Sequence, residues 1–261
     1  MFKPTMNQMK VIVVFMLFIP CILLLYGSPD VLTLVFVAVM ALLCAVGVLL
    51  SLLPLLTYGN GFHEAYSKIE RLRAIQPDRL WDALFQGEHL FQVEDMDKIF
   101  YDYKLTIEEE KRTKRPNFTD LDDLLDTRYI ELKTWKSVVQ LIPNTQTGIG
   151  ILGTFVGLLA GIGNIGFSSA ETVVTSVQSL LNGINVAFYT SIAGVILSII
   201  FNIIYKIVWS MTSREMEMFY RTYHTYVRRS VDDSEKDREF QFQREVITFM
   251  RDMRERELLN L

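Results

Sequence analysis

The sequence is poor in the residues that build most reactive sites. Its 261 residues include two cysteines and three histidines. Cys21 and Cys44 lie apart, each alone in an apolar run. That removes metal-ligand spacing and leaves buried, reduced thiols as the expectation. A strong charge of either sign is also missing. Against 30 acidic residues stand 26 basic ones, a net charge of -4, which argues against a nucleic-acid surface. Acidic runs do occur at 108–110 and 120–126, but no histidine accompanies them, so a solvated helix face is expected rather than a metal site. Strand-like alternation does not persist through residues 58–140. No metal, no cofactor and no enzymatic activity are expected.

Charge is absent altogether from residues 147–167, TGIGILGTFVGLLAGIGNIGF, and seven of these residues are glycine. About twenty helical residues cover ~30 Å, the thickness of a hydrocarbon core. In water each glycine would cost a helix ~1 kcal/mol against alanine. In a membrane, small residues instead let helices approach closely and pack. Gly153, Gly157 and Gly161 repeat every four residues and form one helix-packing ridge, with Thr147 and Thr154 on a shared face near it. Gly148, Gly150 and Gly153 also match G-x-G-x-x-G. That fingerprint needs a preceding strand, whereas a stretch interrupted by Pro143 precedes it and more apolar sequence follows, so a dinucleotide site is rejected.

The apolar half of the composition divides the chain. Residues 11–27 form a first span containing Pro20; the small-residue cleavage site of a signal peptide is missing, and a second apolar run follows directly. Residues 31–56 form the second span, ending near Pro54, so 1–57 is a membrane hairpin. Residues 58–140 are a soluble helical domain broken at Pro77, Gly87 and Pro116. Within it Thr119–Asp122 is expected to open a helix running through Leu124, Leu125, Tyr129, Leu132 and Trp135. Residues 141–211 hold a second hairpin, with spans 147–167 and 183–205 joined by a loop. Residues 212–261 are a charged helical tail with two seams, Met216, Tyr220, Tyr223, Val227 and Phe242, Val246, Phe249, Met253, of coiled-coil or bundle type. No stopping signal closes that tail, which leaves room for a longer native one.

Lysine and arginine flank the spans on one side only; the loops 28–30 and 168–182 contain neither. The positive-inside rule then gives four spans with both termini in the cytoplasm. The expected class is an all-α integral membrane protein with four transmembrane helices, a helical cytoplasmic domain and a C-terminal helical tail. None of the four spans contains an ionisable side chain of the kind that marks a proton relay. They contain hydroxyls instead: Thr147 and Thr154 on the third span, Thr190, Ser191 and Ser198 on the fourth. Such groups either bond back to the carbonyl one turn earlier or line a polar cavity.

The pattern from Pro143 through Gly148, Gly150, Gly153, Thr154 and Gly157 resembles the signature helix of the MotA/TolQ/ExbB proton-channel family. The fourth span, GINVAFYTSIAGV, is similar to that family's last pore helix, with Ala187, Phe188 and Gly194 in register. The resemblance implies a subunit of the bacterial inner membrane. It would assemble as a ring, typically of five copies, around a single-span MotB/ExbD/TolR-like partner dimer that carries the ion-binding aspartate. The family's two pore hydroxyls fall on Thr154 and Ser191, with Thr147 and Thr190 the neighbouring ion-pathway candidates. Where ExbB and TolQ relatives carry a glutamate, this chain has Val186, which brings it nearer to MotA. A MotA-like core followed by a charged tail resembles the membrane subunits of Zorya anti-phage systems, the ZorA family. Two rivals stand beside this: a membrane scaffold presenting a helical tail, and a solute transporter, although no inverted repeat is visible.

Overall fold

The structure, a computed structural model, describes residues 6–26, 30–75, 80–87, 89–113, 120–163, 170–228, 242–244, 246–247 and 250. All regular structure among them is helical. Three helical stretches are long and apolar enough to cross a membrane, Val31–Ile75, Leu121–Ile162 and Thr172–Arg228, and Gln8–Leu23 is a shorter apolar stretch.

The first apolar segment is two helices, α1 (Met6–Met16) and α2 (Ile19–Tyr26). Pro20 accounts for the break, because its ring lacks an N–H and collides with the carbonyl four residues back. The chain answers with tight bonds, Leu17 N–H to Val14 O at 3.1 Å and Phe18 N–H to Phe15 O at 3.0 Å. Cys21, expected buried, is exposed, whereas Cys44 is buried; both are free.

Helix α3 (Val31–Gly47) passes through a wide π-type turn, Val48–Leu52, into α4 (Leu53–Ile75). The helix therefore does not end at Pro54. The wide turn takes the hydrogen-bond ladder out of its ordinary register just before the proline, where the ring would meet a carbonyl. Helices α5 (Leu80–Gln86) and α6 (Glu94–Thr113) follow. Pro77 and Pro116 lie outside the described residues.

In place of one helix through residues 119–135 there are three short pieces, α7 (Leu121–Leu124), α8 (Thr127–Lys133) and α9 (Lys136–Val139). The local reasons are visible. Asp126 caps α8, its carboxylate accepting from Tyr129 N–H at 2.7 Å, and Trp135 takes a left-handed conformation with φ of 50°. Helix α10 (Ile142–Ile162) starts five residues ahead of the expected span and places Pro143 in its first turn, where a missing N–H is harmless. Helix α11 (Ala170–Thr222) is 53 residues long and continues into a second π-type turn, Tyr223–Arg228. Most of the expected loop 168–182 is thus the first turns of α11.

The chain divides into two compact units, 1–60 with 123–214 and 61–122 with 215–261. The first has a core in which Val37 and Met40 of α3 meet Ala193 and Leu197 of α11, flanked by Ile19, Leu23, Ile149 and Tyr189. Its outer surface carries large apolar side chains, including Phe155, Leu159 and Phe188, each about two-thirds exposed or more (67%, 72% and 66%). A surface this apolar is untenable in water and natural in a bilayer or against further subunits.

The second unit has an aromatic core. Phe62 of α4 meets Phe91 at 5.7 Å between ring centroids, Phe91 meets Phe219 of α11 at 5.0 Å, and the Tyr223 hydroxyl donates to that of Tyr103 at 2.9 Å. Of the expected first seam, Tyr223 and Val227 are fully buried here while Met216 and Tyr220 are half-buried, and Phe219 takes the central place. The face is tilted from the expected one and is used within the chain. Each of the three histidines faces a carboxylate in this unit: His63 with Glu215 at 3.0 Å, His89 with Asp97 at 3.3 Å, His224 with Asp122 at 2.7 Å. Asp97 also accepts from the N–H groups of Leu90 and Phe91, fixing the loop before α6. In the second seam Phe242 and Val246 are exposed, and Phe249 and Met253 lie outside the described residues.

Candidate functional site

Helices α10 and α11 form a hairpin whose seam is made of small residues. Gly150, Gly153, Gly157 and Gly161 are all buried along α10. A Cβ added at Gly153 would stand 2.5 Å from Thr190 Oγ1, and one at Gly157 would stand 2.9 Å from both Ala187 N and Gly183 O. At Gly161 it would meet Gly183 Cα at 3.2 Å. On the other strand of the seam, a Cβ at Gly194 would be 2.7 Å from Gln146 O. Backbone therefore touches backbone over more than ten residues of α10, and the ridge is occupied by α11 of the same chain. Where hydrocarbon tails are as apolar as leucine, this contact is held by dispersion rather than by expulsion of water. Gly148, by contrast, has nothing within 4 Å of an added Cβ. All three glycines of the G-x-G-x-x-G match lie inside α10, with no strand before them.

The hydroxyls separate by depth. Thr190 is fully buried against Gly153, and its Oγ1 donates to Val186 O at 2.9 Å and Ala187 O at 3.1 Å. Thr147 is half-buried and donates back to Pro143 O at 3.2 Å. Thr154 is half-buried and donates to two carbonyls at 3.2 Å, Gly150 O on its own helix and Ala187 O across the seam. Ser191 is half-buried too. A Cβ at Gly150 would lie 3.3 Å from Ser191 Cα. Since Thr154 is one turn beyond Gly150, and Ala187 one turn before Ser191, Thr154 and Ser191 stand on adjacent rungs of the hairpin. Back-bonding explains Thr147 and Thr190 completely. Thr154 alone among the three threonines also ties the two helices together.

One buried polar side chain has no counterpart in the hydroxyl pattern. Gln146 is fully buried near the start of α10; its Nε2 donates to Met40 O of α3 at 3.5 Å, and its Oε1 has no hydrogen-bond partner among the described residues. An amide in an otherwise apolar helix face was a signal available from the sequence, hidden there by the polar run Asn144–Gln146 that reads as a helix start. The arrangement as a whole is a close-packed, charge-free wall with neutral hydroxyls on it. It can stabilise a polar or charged group brought by another chain, and it holds no proton-carrying group of its own.

The family described as "Anti-phage protein ZorA, Zorya type I system" matches residues 27–236. Over 60 residues the chain is 42% identical to the Zorya protein ZorA of Escherichia coli strain ATCC 8739, covering 23% of this chain and 10% of that protein. Over 78 residues it is 33% identical to the Zorya protein ZorA of Escherichia coli O139:H28, strain E24377A, covering 30% of this chain and 11% of that one. These matches thus span about a tenth of the length of the curated relatives.

Proposed function

The chain belongs to the ZorA-like family of type I Zorya anti-phage proteins, and from that membership we propose that it is the ring-forming subunit of an ion-driven motor channel serving phage defence. Several copies, five by the wider MotA/TolQ/ExbB resemblance, surround a single-span partner dimer whose membrane aspartate carries the proton or sodium ion. The chain crosses the bacterial inner membrane four times, the shorter stretch Gln8–Leu23 counting as the first span, with both termini in the cytoplasm. Thr154 and Ser191 face the partner's aspartate. Thr190 and the glycines Gly153, Gly157 and Gly161 keep the hairpin closed behind them, and Thr147 continues the polar row.

The observation that carries this reading is the hairpin itself: two helices in backbone contact whose facing stretches, 146–161 and 183–198, have no charged residue, with Thr154 and Ser191 on adjacent half-buried rungs. A bare carboxylate in mid-membrane is costly, and neutral hydroxyls reduce that cost by hydrogen bonding to it. Protonation and release at the partner then change which ring subunit it prefers, and repetition turns ring against dimer. The test is the double variant Thr154→Val with Ser191→Ala. It should assemble normally, since interhelical hydrogen bonds in membranes average only ~0.6 kcal/mol, and yet lose ion-driven function and phage protection. Ser198→Ala, outside the matched positions, should retain both. Full protection by the double variant would leave the scaffold reading ahead.

A further inference from the structure

At the end of the hairpin where α10 begins and the apolar part of α11 finishes, there is a cleft of about 510 Å³ whose rim is Lys136, Gln140, Asn144, Asn202, Lys206 and Trp209. Its size falls within the range of small-ligand pockets, roughly 300–1,000 Å³. Its floor is apolar, Pro143 and Phe201, and the rim has two cations, three amides and no acid. Lys136 is already engaged, its Nζ 2.6 Å from Glu131 Oε1 and 3.8 Å over the Trp209 ring. Lys206 is exposed and has neither ion pair nor hydrogen bond among the described residues. Tyr205 also lines the cleft; it is 6% exposed, and its hydroxyl lies beside the buried Ser51. The first turn of α10 adds the positive end of a helix.

We propose that this cleft is a phosphate-group site, filled in a membrane by the headgroup of an anionic phospholipid. Three features select that chemistry. An uncommitted lysine beside three amide donors is suited to a phosphate, which accepts several hydrogen bonds at once. A Trp at the rim and an apolar floor suit a molecule that is polar at one end and apolar at the other. The cleft also lies where two spanning helices meet a lysine-bearing boundary, the setting in which basic pockets between helices hold anionic headgroups. The proposal rests on α10 and α11 spanning a bilayer, but not on the motor reading.

The full chain is reconstituted in nanodiscs of phosphatidylcholine with and without phosphatidylglycerol, and melting temperature and lipid retained after washing are measured. Phosphatidylglycerol should be retained and should raise the melting temperature. Lys206→Glu should lower its retention by at least about tenfold, as expected for reversing the cleft lysine that has no partner among the described residues. Asn202→Ala should lower it less, and it serves if Lys206→Glu does not fold. Lys98→Glu, an equal charge change on α6 at a residue that does not line the cleft, should leave retention unchanged. Inorganic phosphate is the second arm: protection by phosphate equal to that by the lipid would keep the site and make its occupant a free anion. Equal lipid retention by the native chain and Lys206→Glu would overturn the proposal. A chain that does not enter nanodiscs at all would instead overturn the spanning reading on which it rests.

Discussion

At the scale of residues, the positions that matter most are neighbours with different surroundings. Thr190 and Ser191 are consecutive, so they point about 100° apart on the helix. One is sealed against Gly153 and the other half open. The presence of hydroxyls beside glycine was legible in the sequence. Which hydroxyl faces the seam was not, because that depends on how α11 rotates against α10. Gln146 was missed for a related reason, its burial depending on α3, more than a hundred residues away. The same scale offers a test in the aromatic core. Burial first, then the neighbouring Tyr103, hold the Tyr223 phenol well above its ordinary value near 10. In the unfolded chain that proton leaves near pH 10, whereas the folded chain keeps it. Stability should therefore be fully present below pH 10 and fall as pH rises beyond it. Tyr223→Phe should flatten that alkaline fall, and it should cost about 1 kcal/mol at neutral pH through the lost hydrogen bond. Thermal melts at neutral and alkaline pH report both effects.

At the scale of elements, hydropathy located the helices better than it bounded them. The apolar run ends near Pro54, yet α4 continues to Ile75. The stretch 168–182 is polar enough to read as a loop, yet α11 already includes it from Ala170. A hydrogen-bond ladder does not stop where the side chains cease to be apolar, and one π-type turn is enough to absorb a proline. The opposite error arose at 119–135, where a single periodic pattern concealed the cap at Asp126 and the left-handed Trp135. The glycine seam permits a sharp comparison. Gly157→Leu places a branched side chain where even a Cβ would be 2.9 Å from the backbone of α11, so the hairpin itself should be destabilised by ~1–3 kcal/mol, the general measure of overpacking. Gly148→Ala, in open space on the same helix, should be neutral or stabilising by up to ~1 kcal/mol. Unfolding of the two variants in detergent would show whether the seam is as tight as its geometry. Equal stability would contradict it.

At the scale of the whole molecule, α4 and α11 each belong in part to both compact units. The sequence announced a membrane part and a polar part, since the alternation of apolar and charged stretches is a composition signal. It did not announce that the first turns of the tail complete the aromatic core beside Phe62 and Phe91, because that pairing joins segments more than a hundred residues apart. The proposed inside orientation of both termini rests on lysine and arginine alone and can be tested directly. In a chain with Cys21 and Cys44 replaced by alanine, cysteines at Ser28 and Ser169 should react with a membrane-impermeant reagent in intact spheroplasts, and one at Ser67 should not. Labelling at Ser67 would invert or break the four-span plan.

The proposed role stands or falls on assembly around a partner. Native mass spectrometry of the complex, purified from cells that also express a candidate single-span partner with one membrane aspartate, weighs that assembly directly. A ring of several identical chains, five by resemblance, holding two copies of the partner is the expected result. A monomer or dimer of this chain without the partner would contradict the channel and leave a membrane scaffold in its place.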